Sequence, residues 1–403
     1  MFYSHYFKYI RKSIQIVIAA AAVAFIVIIW SAYYQKRSLD RLEAIPADDN
    51  GPITIGAIIP LSGDVAAVGL PIRKAAELAL SEINQAGGID GRQLKMEVRD
   101  GRCDAREAVN AAETFINIDH VPIIFAGGCS SETLAVAPLA ERAKVILFSS
   151  AATSPEITTA GEYVFRNAPS DASQGMILAE AAFNRGFKKM GILQERKDYT
   201  VGIGNVFQSR FTELGGSTET QIYESDAMDV KKELTSLGDW DMEALLFIVQ
   251  SPVKADMILN ELSNLKLELP LFTNDVALGA DRFTDEGRIS EVEGLMAADL
   301  GVSESNSLYQ EFIRRYQEIY QEDVNFPLYA ALSYDAIYLL RDAMLERGAT
   351  PDAIKNYLVN VKNRPGASGV LTIDANGDPT SGHVLKQMIK GSLIEVTVER
   401  ESL

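Results

Sequence analysis

The sequence predicts an α/β protein of two doubly wound, Rossmann-like lobes preceded by one transmembrane helix. Three observations predict it. From Ile53 onward, apolar runs of strand length alternate with segments whose apolar residues recur at helical spacing, the pattern of βαβ units on parallel sheets. Two such series follow one another, each near the size of one α/β domain. Ahead of them, residues 13–35 carry no charge.

Those 23 residues, at about 1.5 Å each, are long enough to cross an apolar bilayer core of about 30 Å. Trp30, Tyr33 and Tyr34 close the run as interfacial aromatic residues do. A cleaved signal peptide has a shorter apolar core, about 7 to 15 residues, and no cysteine follows until Cys103, which excludes a lipidated N-terminus. The reading is an uncleaved signal anchor: a short cytoplasmic N-terminus (1–12), the span (13–35), a polar linker with Pro46 and Gly51 (36–52), and a ligand-binding domain (53–403). Lys8, Arg11 and Lys12 precede the span while Lys36, Arg37 and Arg41 follow it, so flanking charge does not set its orientation. Cys103 and Cys129 bear on that question. A disulfide between them would suit an oxidising compartment, and two buried free thiols are the other reading.

In the soluble part, Ile53–Ile59 reads as a buried strand. Ile72, Ala75, Ala76, Ala79, Leu80 and Ile83 recur at helical spacing after Pro71, expected in the first helical turn, until Gly87 and Gly88 end the run. Leu94–Val98 alternates as a strand, Ala105–Ile118 is helical, Val121–Ala126 a strand, Glu132–Ala143 helical and Val145–Phe148 a strand. The second series runs from a helix at Asp171–Arg185 through strand Lys189–Gln194, helix Val201–Leu214, strand Thr218–Tyr223, helix Val230–Leu237, strand Ala244–Val249 and helix Val253–Asn264 to strand Leu269–Thr273.

Composition narrows the function. The chain has 403 residues, 47% of them hydrophobic, and 38 Lys+Arg stand against 55 Asp+Glu for a net charge of −17. Such a surface repels a polyanion, so nucleic acid is not an expected partner. Only His5, His120 and His383 accompany the two cysteines, so no metal site can be assembled from these residues and acid–base catalysis has few candidates. Gly202-Ile203-Gly204 lacks the third glycine of a dinucleotide loop and follows no strand directly. With no catalytic residues, cofactor or metal expected, the chain reads as a binding protein.

In open α/β sheets ligands bind beyond the carboxyl ends of the strands. Gly127-Gly128-Cys129-Ser130-Ser131 follows one strand and precedes a helix, offering free N–H groups and a hydroxyl to a carboxylate, although a Ser there also serves as a plain helix cap. Ser149-Ser150-Ala151-Ala152-Thr153-Ser154-Pro155 repeats that chemistry after the next strand. In the second series Asp275 could receive an ammonium group and Tyr199 could stack on a ligand. Each also has an ordinary reading, as a turn residue and a packing residue.

These segments bear a resemblance. From about Ile53 to the C-terminus the chain resembles the type I periplasmic binding proteins of branched-chain amino acid ABC importers. The resemblance rests on Ile58-Ile59-Pro60-Leu61-Ser62-Gly63 with Gly69, Glu82–Gly91, Asp100–Asp104, Gly128–Ser131, Ser150–Glu156, Phe165-Arg166 with Asp171 and Gln174, and Tyr334-Asp335-Ala336. It implies two lobes joined by hinge strands, lobe 1 at about 53–168 and 299–368, lobe 2 at about 169–298 and 369–403, closing over an amino acid. It also implies a Cys103–Cys129 disulfide, a ligand carboxylate held by Ser130 and Thr153 near Ala152, an ammonium met by the Ala151 carbonyl and Asp275, and Tyr199 as an aromatic wall. Two positions depart from the leucine binders: Val68 replaces an aromatic residue before the first-loop glycine, and Gln250 or Ser251 replaces a tyrosine. Asp275 is also one methylene shorter than a Glu. The function implied is capture of a branched-chain or related amino acid outside the cytoplasmic membrane and delivery to an ABC permease, the span acting as tether. A ligand-sensing receptor domain of the same fold is the alternative.

Overall fold

Ile53–Ile59 (β1) is apolar at almost every position and nearly all buried, as a central strand covered on both faces must be. The computed structural model describes residues 51–280, 283, 288–301 and 305–397. The expected anchor at 13–35 lies outside them, and among the described residues no helix is long and apolar enough to cross a membrane. Leu94–Asp100 (β2) and Ile123–Ala126 (β3) flank β1 in parallel. Ile146–Ser149 (β4) and Val164–Arg166 (β5) extend a five-stranded sheet of order β2-β1-β3-β4-β5. Helices Ala66–Gln85, Ala105–Asn117 and Ser130–Ala143 make the connections between β1 and β4. Asp104 opens the second by accepting the N–H groups of Arg106 and Glu107 at 2.9 and 3.1 Å. The first helix begins at Ala66, so Pro71 falls in its second turn instead of its first and forfeits one helical hydrogen bond there.

The second series builds a seven-stranded sheet from Lys189–Glu195 (β6), Ser217–Tyr223 (β7), Ala244–Ile248 (β8), Leu271–Thr273 (β9) and Met296–Leu300 (β10), with helices Asp171–Asn184, Asp198–Glu213, Lys231–Asp239 and Pro252–Leu265. The chain then leaves this sheet. Helices Ser307–Tyr320 and Pro327–Arg347 pack against Ala66–Gln85, Pro351–Leu358 follows, and Arg364–Gly366 (β11) pairs with Gly369–Leu371 (β12). His383–Ile389 (β13) and Ser392–Glu395 (β14) return to the seven-stranded sheet, whose order is β14-β13-β10-β9-β8-β6-β7. β13 and β14 are antiparallel to their neighbours, so this sheet is mixed where an all-parallel one was expected. β14 is antiparallel to β13 for a local reason, the tight hairpin at Lys390 and Gly391, both at positive φ, whereas β13 runs antiparallel to β10 because the chain re-enters the sheet from the opposite end.

The main chain therefore passes between the two sheets three times, after β5, after β10 and after β12. The carboxyl ends of β3 and β4 carry the two hydroxyl-rich loops, and the Cys103–Cys129 disulfide ties the loop after β2 to the loop after β3, with a Cα separation of 5.4 Å.

Candidate functional site

The first loop after β1 is brought close by glycine. A Cβ at Gly69 would lie 1.8 Å from the Pro60 carbonyl oxygen, so only a glycine lets the start of helix Ala66–Gln85 approach the end of β1. This places Val68 on one wall of a narrow cavity of about 20 Å³ that opens to solvent. Ser130 and Ala151 share that wall, and Tyr329, on the first turn of helix Pro327–Arg347, completes it. Tyr199, Gln250 and Val276, all carried by the seven-stranded sheet and its helices, form the facing wall.

Of the residues expected from sequence, the structure thus brings Val68, Ser130, Ala151, Tyr199 and Gln250 to one cavity, whereas Ala152, Thr153 and Asp275 do not line it. Ser130 is the first residue of its helix and accepts the Ser154 N–H at 3.1 Å, which leaves its own proton free to donate. The Ala152 N–H is taken by Ser149 Oγ at 2.9 Å. Thr153 is buried and its hydroxyl has no partner. Buried Arg166 fixes this loop: its guanidinium donates to the Ser154 carbonyl at 2.9 Å and forms a two-pronged pair with Asp378 at 2.7 Å in each prong.

Asp275 opens a short 3-10 turn directly after β9 and sits one layer behind the cavity. Tyr199 donates to its Oδ1 at 2.5 Å and Tyr329 to its Oδ2, so the carboxyl is reached from the cavity through two phenols. Asn274 fixes the first of these. Its amide donates to Tyr199 Oη at 2.8 Å and to the Val249 carbonyl at 2.9 Å, and its oxygen accepts the Val249 N–H at 3.0 Å. Burial pushes the Asp275 carboxyl up, against the bonds from Tyr199, Tyr329 and Gln174 that hold it down. The Tyr329–Asp275 bond joins a helix packed on the five-stranded sheet to the seven-stranded sheet. Lys197 makes a second such link, donating to the Cys103 carbonyl at 3.4 Å.

Sequence reasoning missed Tyr329 as a site residue, although it lies five residues before the Tyr334-Asp335-Ala336 segment. It also assigned no role to Asp171, Gln174 and His383, which sit behind Asp275. Gln174 Nε2 lies 3.0 Å from Asp171 Oδ1, 3.1 Å from His383 Nε2 and 3.3 Å from Asp275 Oδ1. Burial pushes His383 down to about 4. Among the described residues no group of three or more His, Cys, Asp or Glu side chains is arranged to hold a metal ion.

A family model described as periplasmic binding protein matches residues 52–388. The chain belongs to the periplasmic binding protein family. It is similar to the Leu/Ile/Val-binding protein homolog 1 of Brucella suis, 24% identical over 356 residues covering 84% of this chain and 91% of that protein. A leucine-, isoleucine-, valine-, threonine- and alanine-binding protein of Pseudomonas aeruginosa is 30% identical over 196 residues, 48% of this chain and 49% of that one. Among solved structures, the leucine binding protein of Thermotoga maritima superposes with a TM-score of 0.77 at 27% identity, covering 86% of this chain and 98% of that chain. The architecture is the type I form of this family, which is a family of solute-binding proteins.

Proposed function

We propose that this chain captures an amino acid, branched-chain or related, in the cavity between its two sheets and delivers it to an ABC importer, held at the outer face of the cytoplasmic membrane by residues 13–35. The observation that carries the reading is the polarity of the cavity. Hydroxyl and backbone groups at Ser130 and Ala151 stand on one wall, and the Asp275 carboxyl stands behind the other, capped by Tyr199 from its own side and by Tyr329 from across the cleft, an arrangement suited to a zwitterion. In this reading Ser130 and Thr153 take the carboxylate, Ala151 and the Asp275 cluster take the ammonium, and Val68, Val276 and Gln250 meet the side chain. Lobe 1 at about 53–168 and 299–368 then closes on lobe 2 about the three strand crossings, so affinity includes the closing equilibrium.

The test is a thermal-shift screen of the full chain in detergent against leucine, isoleucine, valine, threonine, alanine, small amides and organic acids. A ligand at about 100 times its Kd adds about 2.7 kcal/mol of stability. Stabilisation by aliphatic amino acids supports the reading; silence from every amino acid with a response to an amide or acid refutes it. Co-purification of a permease and its ATPase from membranes tests delivery.

A further inference from the structure

Behind the proposed ammonium acceptor lies a second carboxyl that the binding reading does not use. Asp171 opens helix Asp171–Asn184 directly after the first crossing between the sheets, and it is completely buried. Its backbone N–H donates to the Thr153 carbonyl at 2.8 Å and its Oδ1 accepts from Gln174 at 3.0 Å, but its Oδ2 has no partner.

The protons around it can be placed one by one. Ser173 Oγ donates to the Ser170 carbonyl at 2.9 Å, so at the 2.6 Å contact with His383 it must accept, and the imidazole carries its proton on Nδ1. Nε2 of His383 is then a lone pair, and it takes one of the two Gln174 amide hydrogens. The other goes to Asp171. Turning the Gln174 amide over would aim its oxygen at two carboxyls and a lone pair, so the orientation is fixed by its surroundings.

Every charged or titratable group packed around Asp171 is accounted for in the same way. Arg166 of β5 is committed to Asp378. Asp299 of β10 is paired with Lys386 of β13 at 2.7 Å. His383 is neutral and 3.9 Å away, Tyr199 and Tyr329 are neutral and donate to Asp275, and Asp275 adds a like charge. An ionised Asp171 would be a buried anion with only neutral donors beside it, the Gln174 amide and the Thr153 hydroxyl, and with a second anion sharing the amide, which is costly. A proton on Oδ2 removes the charge and turns an unmatched acceptor into a donor, in a cluster where Thr153 Oγ1 and Gln174 Oε1 are also unpartnered. Burial and the Asp275 charge, in that order, push the Asp171 carboxyl well up, against the Thr153 hydroxyl, the Arg166 charge and the Gln174 amide that hold it down.

We propose that Asp171 carries a proton in the ligand-free protein and that entry of a ligand ammonium group at the Tyr199–Asp275–Tyr329 cluster expels it to solvent. This rests on the amino-acid reading of the cavity. Asp171 acts here through Asp275 as a positioning residue: the ammonium replaces the proton as the positive charge shared by the two carboxyls, and the O–H bond of Asp171 breaks with its electron pair left on Oδ2. Amino-acid capture is then linked to proton release, and affinity rises as the medium becomes less acid.

The experiment is calorimetric titration of the full chain in detergent with leucine, in buffers of different ionisation enthalpy, between pH 5.5 and 7.0 where an α-ammonium stays charged. The expected result is release of close to one proton per leucine, with affinity rising up to about tenfold per pH unit. Asp171→Asn, which keeps the shape and cannot ionise, should release none and show flat affinity. Infrared difference spectra give an independent readout, a carboxylic-acid C=O band in the free protein that disappears on leucine binding and is absent from the variant. Leucine binding without proton release overturns the inference and leaves the binding reading standing, and proton release that persists in Asp171→Asn overturns the assignment. Absence of binding by any amino acid overturns both. If Asp171→Asn fails to fold, the wild-type proton count and C=O band still decide.

Discussion

Glu132 offers a stability prediction whose sign and size follow from its surroundings. The side chain is buried, and its two oxygens accept the N–H groups of Cys103 at 2.9 Å and Cys129 at 3.2 Å, binding both halves of the disulfide from one helix turn. Burial nevertheless pushes its carboxyl up from 4.5 to about 7, with the nearby Asp100 charge adding to the rise and the two N–H bonds opposing it. Between these values the folded chain holds a proton that the unfolded chain has released, so this group's contribution to stability falls as pH rises through the window. At about 1.4 kcal/mol per unit the loss is about 3 kcal/mol, complete by about pH 8. Glu132→Gln abolishes the titration; it also removes one acceptor from the two backbone donors, a roughly pH-independent cost of about 1–3 kcal/mol. Urea unfolding of both proteins from pH 4.5 to 8 checks this. The stability of wild type minus that of the variant should fall by about 3 kcal/mol across the range. A difference that stays constant would refute the claim that the buried carboxyl keeps its proton to near neutrality.

Other perturbations have equally direct outcomes. Removing the disulfide with Cys103→Ser and Cys129→Ser opens a link of sequence separation 26 and should cost about 3 kcal/mol in urea unfolding, by loss of the constraint on the unfolded chain. Arg166→Met strands Asp378 in a buried site and should cost about 3–5 kcal/mol, and the same measurement would show less than 1 kcal/mol if the pair were dispensable. Asp275→Asn keeps one of the two acceptor oxygens that the phenols of Tyr199 and Tyr329 use and loses the charge. Leucine affinity by calorimetry should fall about tenfold to a hundredfold, the worth of a charge-assisted bond, with unchanged affinity counting against the ammonium assignment.

Much of the fold was legible because its signals are local. Apolar runs such as Ala244–Ile248 and the amphipathic spacing of Ala105–Asn117 each depend only on burial within one unit, and the strand and helix boundaries fell within a few residues of expectation. What was not legible depends on tertiary company. Residues beyond Thr273 gave no element reading, because helix Pro327–Arg347 is buried along most of its circumference and shows little periodicity, and because the antiparallel return of β13 is set by where the chain re-enters the sheet. The strand-end rule pointed to Ser130, Ala151 and Tyr199 since each lies within four residues of the end of its strand. It could not find Tyr329, which arrives on a helix far along the chain, nor Gln174 and His383, which meet Asp275 across 101 residues in one case and through Gln174 in the other.

The shorter side chain at Asp275 makes physical sense in this company. A carboxyl that stopped short of the cavity with nothing between would be a buried charge facing a gap, the costly case. Here the gap is filled by Tyr199 and Tyr329, which line the cavity and whose O–H groups point back at the carboxyl. Each phenol oxygen is polarised by donating to an anion, so it becomes a better acceptor for a donor approaching from the cavity. Tyr199 spends that capacity on the Asn274 amide, whereas no bond to Tyr329 Oη other than its own donation is found among the described residues. The charge of Asp275 is thus transmitted to the cavity chiefly at Tyr329. Because Tyr329 and Asp275 belong to opposite sides of the cleft, that path exists only while the two sides are together.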